Sequence, residues 1–204
     1  MKQTFFLLLA LFTFACSETK QKNSEITSNS PETSSGKIDS NAAKTETPAP
    51  EKLPSVEKDH LFSHPTEPDH FKLEMHGTSL LDSYATFTIT NPQGRVIYED
   101  SISSGDLEAS MVYEMETPIA NAPERETFIR KRIKEFFDDK YFTIPAIAPN
   151  DSYDQTFGDE HAWNTIKADP RSVGFHYLIG KENGRIIAYS KQDGKVMVVG
   201  YFGG

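Results

Sequence analysis

The sequence predicts an α+β domain: mostly antiparallel sheet with a C-terminal three-strand meander, and one main amphipathic helix packed on it. Three features carry that reading. Apolar and polar residues alternate from Phe71 onward, a stripe at helical spacing occupies the middle of the chain, and β-rich runs broken by Asn-Gly and Asp-Gly close it.

Phe71, Leu73 and Met75 alternate with Lys72, Glu74 and His76, the period-two pattern of a half-buried strand. Tyr84 to Thr90 repeats it, with Ala85, Phe87 and Ile89 on one side and threonines on the other. Asn91-Pro92-Gln93-Gly94 suits a type I turn, because Asn favours its first position, Pro its second and Gly its fourth. Arg95 to Asp100 returns as the next strand, and Met111 to Met115 is expected to add another. Around Pro123 the period changes. Phe128, Ile129, Ile133, Phe136 and Phe137 form one apolar stripe, which predicts a helix over Glu124 to Asp138 with Pro123 near its first turn and Arg130, Lys131 and Lys134 on its solvated face. At the end, Val173 to Ile179, Ile186 to Tyr189 and Val196 to Phe202 are separated by Asn183-Gly184 and Asp193-Gly194, both strong hairpin signals. The last of these runs is apolar on both faces, Val196 and Val198 against Met197 and Val199, so it is expected inside the sheet rather than at its edge.

The 204 residues carry 21 Lys and Arg against 30 Asp and Glu, a net charge of -9. Such a balance repels phosphate backbones and excludes nucleic acid as the expected partner. A mean hydropathy of -0.52 excludes a multi-span membrane protein. From Ser17 to Lys58 the chain is Ser, Thr, Asn, Pro, Glu and Lys, with Ile26, Ile38, Leu53 and Val56 as its larger apolar side chains. That is too little apolar surface to offset the entropy of ordering a backbone, so residues 16–58 are expected to form a disordered tether. As a flexible coil it would reach about 35 to 40 Å. Residues 59–204 are expected to form one globular domain, large enough to fold without disulfides or a structural metal.

Lys2 precedes the apolar run Phe5 to Phe12, which is followed by Thr13-Phe14-Ala15-Cys16 and then by the polar Ser17-Glu18-Thr19-Lys20. A positive start, a short apolar stretch and a small residue before the break are the marks of a secretory signal peptide, here residues 1–15. The run falls short of the roughly 20 apolar residues that span a bilayer. The single cysteine stands directly after Ala15, and in this the segment resembles the signal of bacterial lipoproteins. Thr13 and Phe14 stand where the commonest lipoprotein box has Leu and a small residue. The resemblance implies lipidation of Cys16 by fatty acyl chains such as palmitate, a bilayer partner reached through that cysteine, and residence on the periplasmic or surface side of the outer membrane. Two or more chains give stable anchoring where one is marginal. The alternative is ordinary cleavage after Ala15, leaving a secreted soluble protein with a free thiol. In the folded domain, the Tyr84 to Leu107 hairpin and the terminal meander look broadly similar to other small envelope lipoproteins of unknown function.

No serine elbow, phosphate-cradling glycine loop or His-Glu-x-x-His helix occurs, so no catalytic residue and no cofactor is assigned. His60, His64, His70 and His76 lie near Asp59, Glu67, Asp69 and Glu74, but without a recurrent ligand spacing they read as scattered surface histidines and no metal is assigned. His176, between Phe175 and Tyr177, reads as a packed histidine. The connection from Tyr141 to His161 is the candidate ligand-binding element, with Asp151, Tyr153, Asp154, Asp159 and the following Trp163 as candidate contacts. Aromatic rings beside carboxylates suit sugars, peptides or a cation. The structural alternative has Phe157 and Trp163 filling the core and Asp159 capping a short helix through Ile166. The expected function is a membrane-anchored binding module for an envelope protein or extracellular ligand. A hydrolase or metal-dependent enzyme built on the 141–163 loop with His161 or His176, and an immunity or inhibitor lipoprotein, are the alternatives.

Overall fold

A computed structural model describes residues 52–115 and 120–203. The expected signal peptide, Cys16 and the expected tether up to residue 51 lie outside the described residues. All the elements below belong to one compact unit, Thr47–Gly204.

Eight strands form two antiparallel four-stranded sheets, so the α+β class with mostly antiparallel sheet stands. The first sheet runs β1 (Ser55–His60), β2 (Asp69–Gly77), β3 (Ser83–Thr90) and β4 (Val96–Ser103) in chain order. The second runs β5 (Phe142–Thr143), β6 (Gly174–Ile179), β7 (Asn183–Ser190) and β8 (Lys195–Phe202). Between them come α1 (Ser104–Glu108) and α2 (Ala122–Lys134), and α3 (Glu160–Ala168) interrupts the second sheet.

The alternation read at residues 71–90 places the buried faces of β2 and β3 opposite each other. Phe71 pairs with Ile89, Leu73 with Phe87 and Met75 with Ala85. Directly opposed apolar side chains are the unit from which a sheet gains its stability. The turn into β4 is closed by Gly94 N–H donating to Asn91 O at 2.8 Å and Arg95 N–H donating to the Asn91 side chain at 2.9 Å.

Several expectations are corrected. The described chain holds two sheets and three helices where one sheet and one main helix were expected. A strand, β1, starts at Ser55, inside the segment assigned to the tether, and pairs with β2 from Ser55↔Glu74 to His60↔Asp69. Its alternation is of charge and exposure rather than of apolar residues, which hides it from a hydrophobicity reading. The run Met111 to Met115 is no strand: residues Ala109–Tyr113 form a 3-10 turn continuing α1. Ser103 and Asp106 start that helix with reciprocal side-chain-to-backbone hydrogen bonds, and this cap outweighs the local β preference. Helix α2 begins under a second such box, Asn121 with Glu124, but ends at Lys134 rather than Asp138. Phe136 and Phe137 remain buried from the turn that follows, where Phe136 N–H donates to Ile133 O. Asn183-Gly184 is the start of β7 rather than a turn; the reversal lies at Gly180, with φ 74°. Gly184 is required for another reason, since a Cβ there would sit 2.4 Å from the Phe202 ring.

The last strand, β8, is an edge strand. Its two apolar faces reflect cover on both sides of the sheet. Val196 and Val198 join the main core, whereas Met197 and Val199 join a second cluster with Trp163, Ile166, Ala146 and Ile147 under α3.

Between the sheets, Phe71, Phe87, Phe137 and Phe175 are all in mutual contact, with the six centroid separations running from 5.5 Å for Phe87–Phe137 to 6.3 Å for Phe71–Phe87. These separations suit offset and edge-to-face ring packing. The sheets also meet at both flanks. On one, His60 stacks on Phe142 at 3.8 Å and Lys58 pairs with Asp139. On the other, Asp100 of β4 accepts from Tyr177 of β6 at 2.7 Å and from Arg185 of β7 at 2.8 Å. Since the Tyr177 proton goes to Asp100, the Tyr98 hydroxyl donates to the Tyr177 oxygen. Burial pushes both tyrosine hydroxyls above their ordinary pKa, which keeps them protonated as this arrangement needs.

Tyr177→Phe keeps the ring and removes both hydrogen bonds, stranding the Tyr98 hydroxyl and taking one donor from Asp100. A loss of about 1 to 3 kcal/mol is expected in urea unfolding, with an unchanged dependence on denaturant. An equally stable variant would show the clamp to be inert.

Candidate functional site

A groove of about 860 Å³ opens between the first strand connection and the end of α3. That lies within the usual 300 to 1,000 Å³ range of ligand sites. One wall is the connection between β1 and β2, from Leu61 to Pro68; the other is Ile144, the end of α3 and the segment Asp169 to Val173, with Tyr189 and Lys191 beside it.

The first wall is held by a buried carboxylate. Asp69, at the start of β2, is 0% exposed and accepts from Phe62 N–H at 3.2 Å, Ser63 N–H at 2.7 Å and the Ser63 hydroxyl at 2.5 Å. Three donors of this kind keep a buried carboxylate satisfied. Phe62 pins the same loop to the core by an edge contact with Phe71 at 5.3 Å. Further along, His64 Nδ1 accepts from Glu67 N–H at 3.1 Å, so its proton sits on Nε2. The loop therefore has a fixed shape, set by its own side chains.

The second wall is fastened by Ser172, whose hydroxyl accepts from Ala146 N–H at 3.1 Å. Asp169 organises its polar end, accepting from Lys191 Nζ at 2.6 Å and from Arg171 N–H at 2.9 Å, with the Arg171 guanidinium 3.9 Å away. The Lys191 hydrogen bond, followed by that of the Arg171 backbone, holds the Asp169 carboxyl below its ordinary pKa. Around these charges the rim is apolar and open: Leu61 is 43% exposed and Ile144 66%.

The residues singled out in the sequence lie elsewhere and serve the local structure. Asp151 accepts from Ala148 N–H at 3.1 Å. Asp154 accepts from the Thr156 backbone at 2.8 Å and hydroxyl at 2.7 Å, and Asp159 caps α3 through Ala162 N–H at 2.7 Å. Tyr153 donates to Gly158 O, and Trp163 is buried with its indole N–H on Val199 O at 2.9 Å. The rings of Tyr153, Phe157 and Trp163 come together, whereas each carboxylate is committed to a donor in its own segment. None of the five candidates lines the groove. Among the described residues no three His, Cys, Asp or Glu side chains are placed to hold a metal ion. Of the clustered histidines, His60 and His64 line the groove, His70 pairs with Asp59 at 2.8 Å, and His76 lies beside Tyr84.

The sequence reading overlooked Leu61, Ile144, Arg171 and Lys191. Its one usable signal was the pair Pro65 and Pro68 between two strands, which marks a shaped loop.

A small cavity of about 120 Å³ lies between Arg132, Tyr141, His176 and Phe202. Arg132 Nε is buried there without a hydrogen-bond partner among the described residues. His176 Nε2 lies 2.9 Å from the Thr143 hydroxyl, and burial pushes the imidazole below its ordinary pKa.

Comparison of the chain with family models, curated proteins and solved structures finds no match.

Two outcomes are expected. Asp69→Ala strands the Phe62 and Ser63 amides and costs about 3 kcal/mol, with faster hydrogen exchange at those two positions, while Asp69→Asn retains most of the stability. As pH falls below about 6.5, the unfolded chain takes up a proton at residue 176 that the folded chain resists, so stability declines. His176→Gln should make the dependence of the melting temperature on pH shallower between pH 7.5 and 5; parallel profiles would assign that decline to other groups.

Proposed function

We propose that the chain is an envelope lipoprotein, anchored in the outer membrane through acylated Cys16, whose folded part is a binding module using the groove between the Leu61–Pro68 loop and the Asp169–Val173 segment. The observation that carries the binding role is the groove itself, whose walls are built by Asp69 and Asp169 and whose apolar rim is left open at Leu61 and Ile144. Shaped, partly apolar concavities with a few placed charges are what ligand sites are made of. The groove's polar side chains are tied to one another, Asp169 to Lys191 and His64 to its own loop, which suits holding a ligand more than moving protons.

The anchoring half rests on Cys16 directly after Thr13-Phe14-Ala15 and on the polar stretch that follows. A tether of that length would let the groove work clear of the headgroups.

In membrane fractions, the native chain is expected to carry the mass of two or three acyl chains on residue 16, and Cys16→Ser to release it into the soluble fraction. A mature protein that is soluble with an unmodified thiol would overturn the anchor.

A further inference from the structure

The groove has a chemical bias that narrows its ligand. Its polar rim is rich in donors. Lys191 and Arg171 share the single carboxylate of Asp169, which leaves one positive charge in excess at that end. With Nδ1 accepting from the loop, the His64 proton sits on Nε2, on a side chain 41% exposed. Asp59, the other acid on the lining, is engaged by His70 at 2.8 Å. Over the whole lining Arg171 and Lys191 balance Asp59 and Asp169, and the excess of one positive charge is confined to the end where Arg171 and Lys191 flank Asp169.

The opposite bias holds for backbone groups. An extended peptide needs main-chain partners for its own N–H and C=O groups. In the Leu61–Pro68 wall, the amides of Phe62 and Ser63 are taken by Asp69 and those of Thr66 and Glu67 by His64, while Pro65 and Pro68 have none. The wall thus offers an extended chain few backbone donors, and its apolar lining is Leu61 and the prolines, with Ile144 and Val173 on the other wall. An acyl chain makes no demand for main-chain hydrogen bonds, and a groove of 860 Å³ has room for one.

Resting on the groove as the binding site, we infer that its ligand is a single-chain anionic lipid, a long-chain carboxylate, with its head at Arg171 and Lys191 and its chain along Ile144, Leu61 and Val173.

The test uses the chain from residue 16 onward with Cys16→Ser, purified without detergent; this contains the whole compact unit Thr47–Gly204. Palmitate and hexadecanol, of equal length and differing in the head, are titrated by calorimetry. Palmitate is expected to bind one to one and at least about tenfold more tightly than the alcohol, the scale of one charge-assisted hydrogen bond. Arg171→Gln with Lys191→Gln should bring palmitate down to the level of hexadecanol, and Ile144→Asp should abolish both. These three side chains are 83%, 63% and 66% exposed, so the variants are expected to melt with the parent. Equal affinity for acid and alcohol, or palmitate binding indifferent to Ile144→Asp, would overturn the assignment. So would the absence of any lipid binding. A photo-crosslinker at residue 144 of the anchored chain separates the two readings: capture of a protein there, with no lipid bound, would leave the tethered module standing and remove the lipid.

Discussion

Four phenylalanine rings that all touch one another hold this fold together. Phe71 comes from β2, Phe87 from β3, Phe137 from the turn after α2 and Phe175 from β6, so each ring brings a different stretch of chain to the same point. Close packing makes such a cluster intolerant of displacement, because interiors pack as densely as organic crystals. Two sheets that share no ladder hydrogen bond are fixed in relation to each other chiefly by these rings. The flanking contacts, His60 on Phe142 and Tyr177 on Asp100, then lock an orientation the core has already chosen.

The groove inherits its rigidity from the same source. Phe62 leans on Phe71, and Asp69 stands two residues before that ring on the same strand. The loop wall is thus one step removed from the aromatic cluster. The opposite wall is tied through Val173, two residues before Phe175, and through the Ser172 hydrogen bond to Ala146. A site on such short leads from a core keeps its shape before a ligand arrives, which lowers the ordering cost of binding.

Strands with one wet face were legible in the sequence. Phe71 to Met75 and Tyr84 to Thr90 declare themselves by alternation, Pro123 marks the first turn of α2, and Asp159 caps α3. What escaped was set by tertiary contact. The charged β1 is a strand because β2 offers it a ladder, and β8 is apolar on both faces because α3 covers the outer one. Ring-and-carboxylate patterning in the 141–163 connection drew the eye to residues that turned out to be caps and packing groups. The same residue types serve both ends, and only the hydrogen-bond partners tell them apart. The groove was invisible for the converse reason: Leu61, Ile144, Arg171 and Lys191 are ordinary residues that become neighbours only when the sheets close.

The meeting of the sheets at both flanks bears on life in a crowd. A bare outer strand is a template for another copy of itself wherever molecules meet often. Here β1 alternates charge along its length and lies against Phe142 and Asp139, while β4 runs beside β8. The alternating charge of β1 and the packing of β4 beside β8 make these edges poor templates for a second copy, so the architecture disfavours strand pairing between molecules.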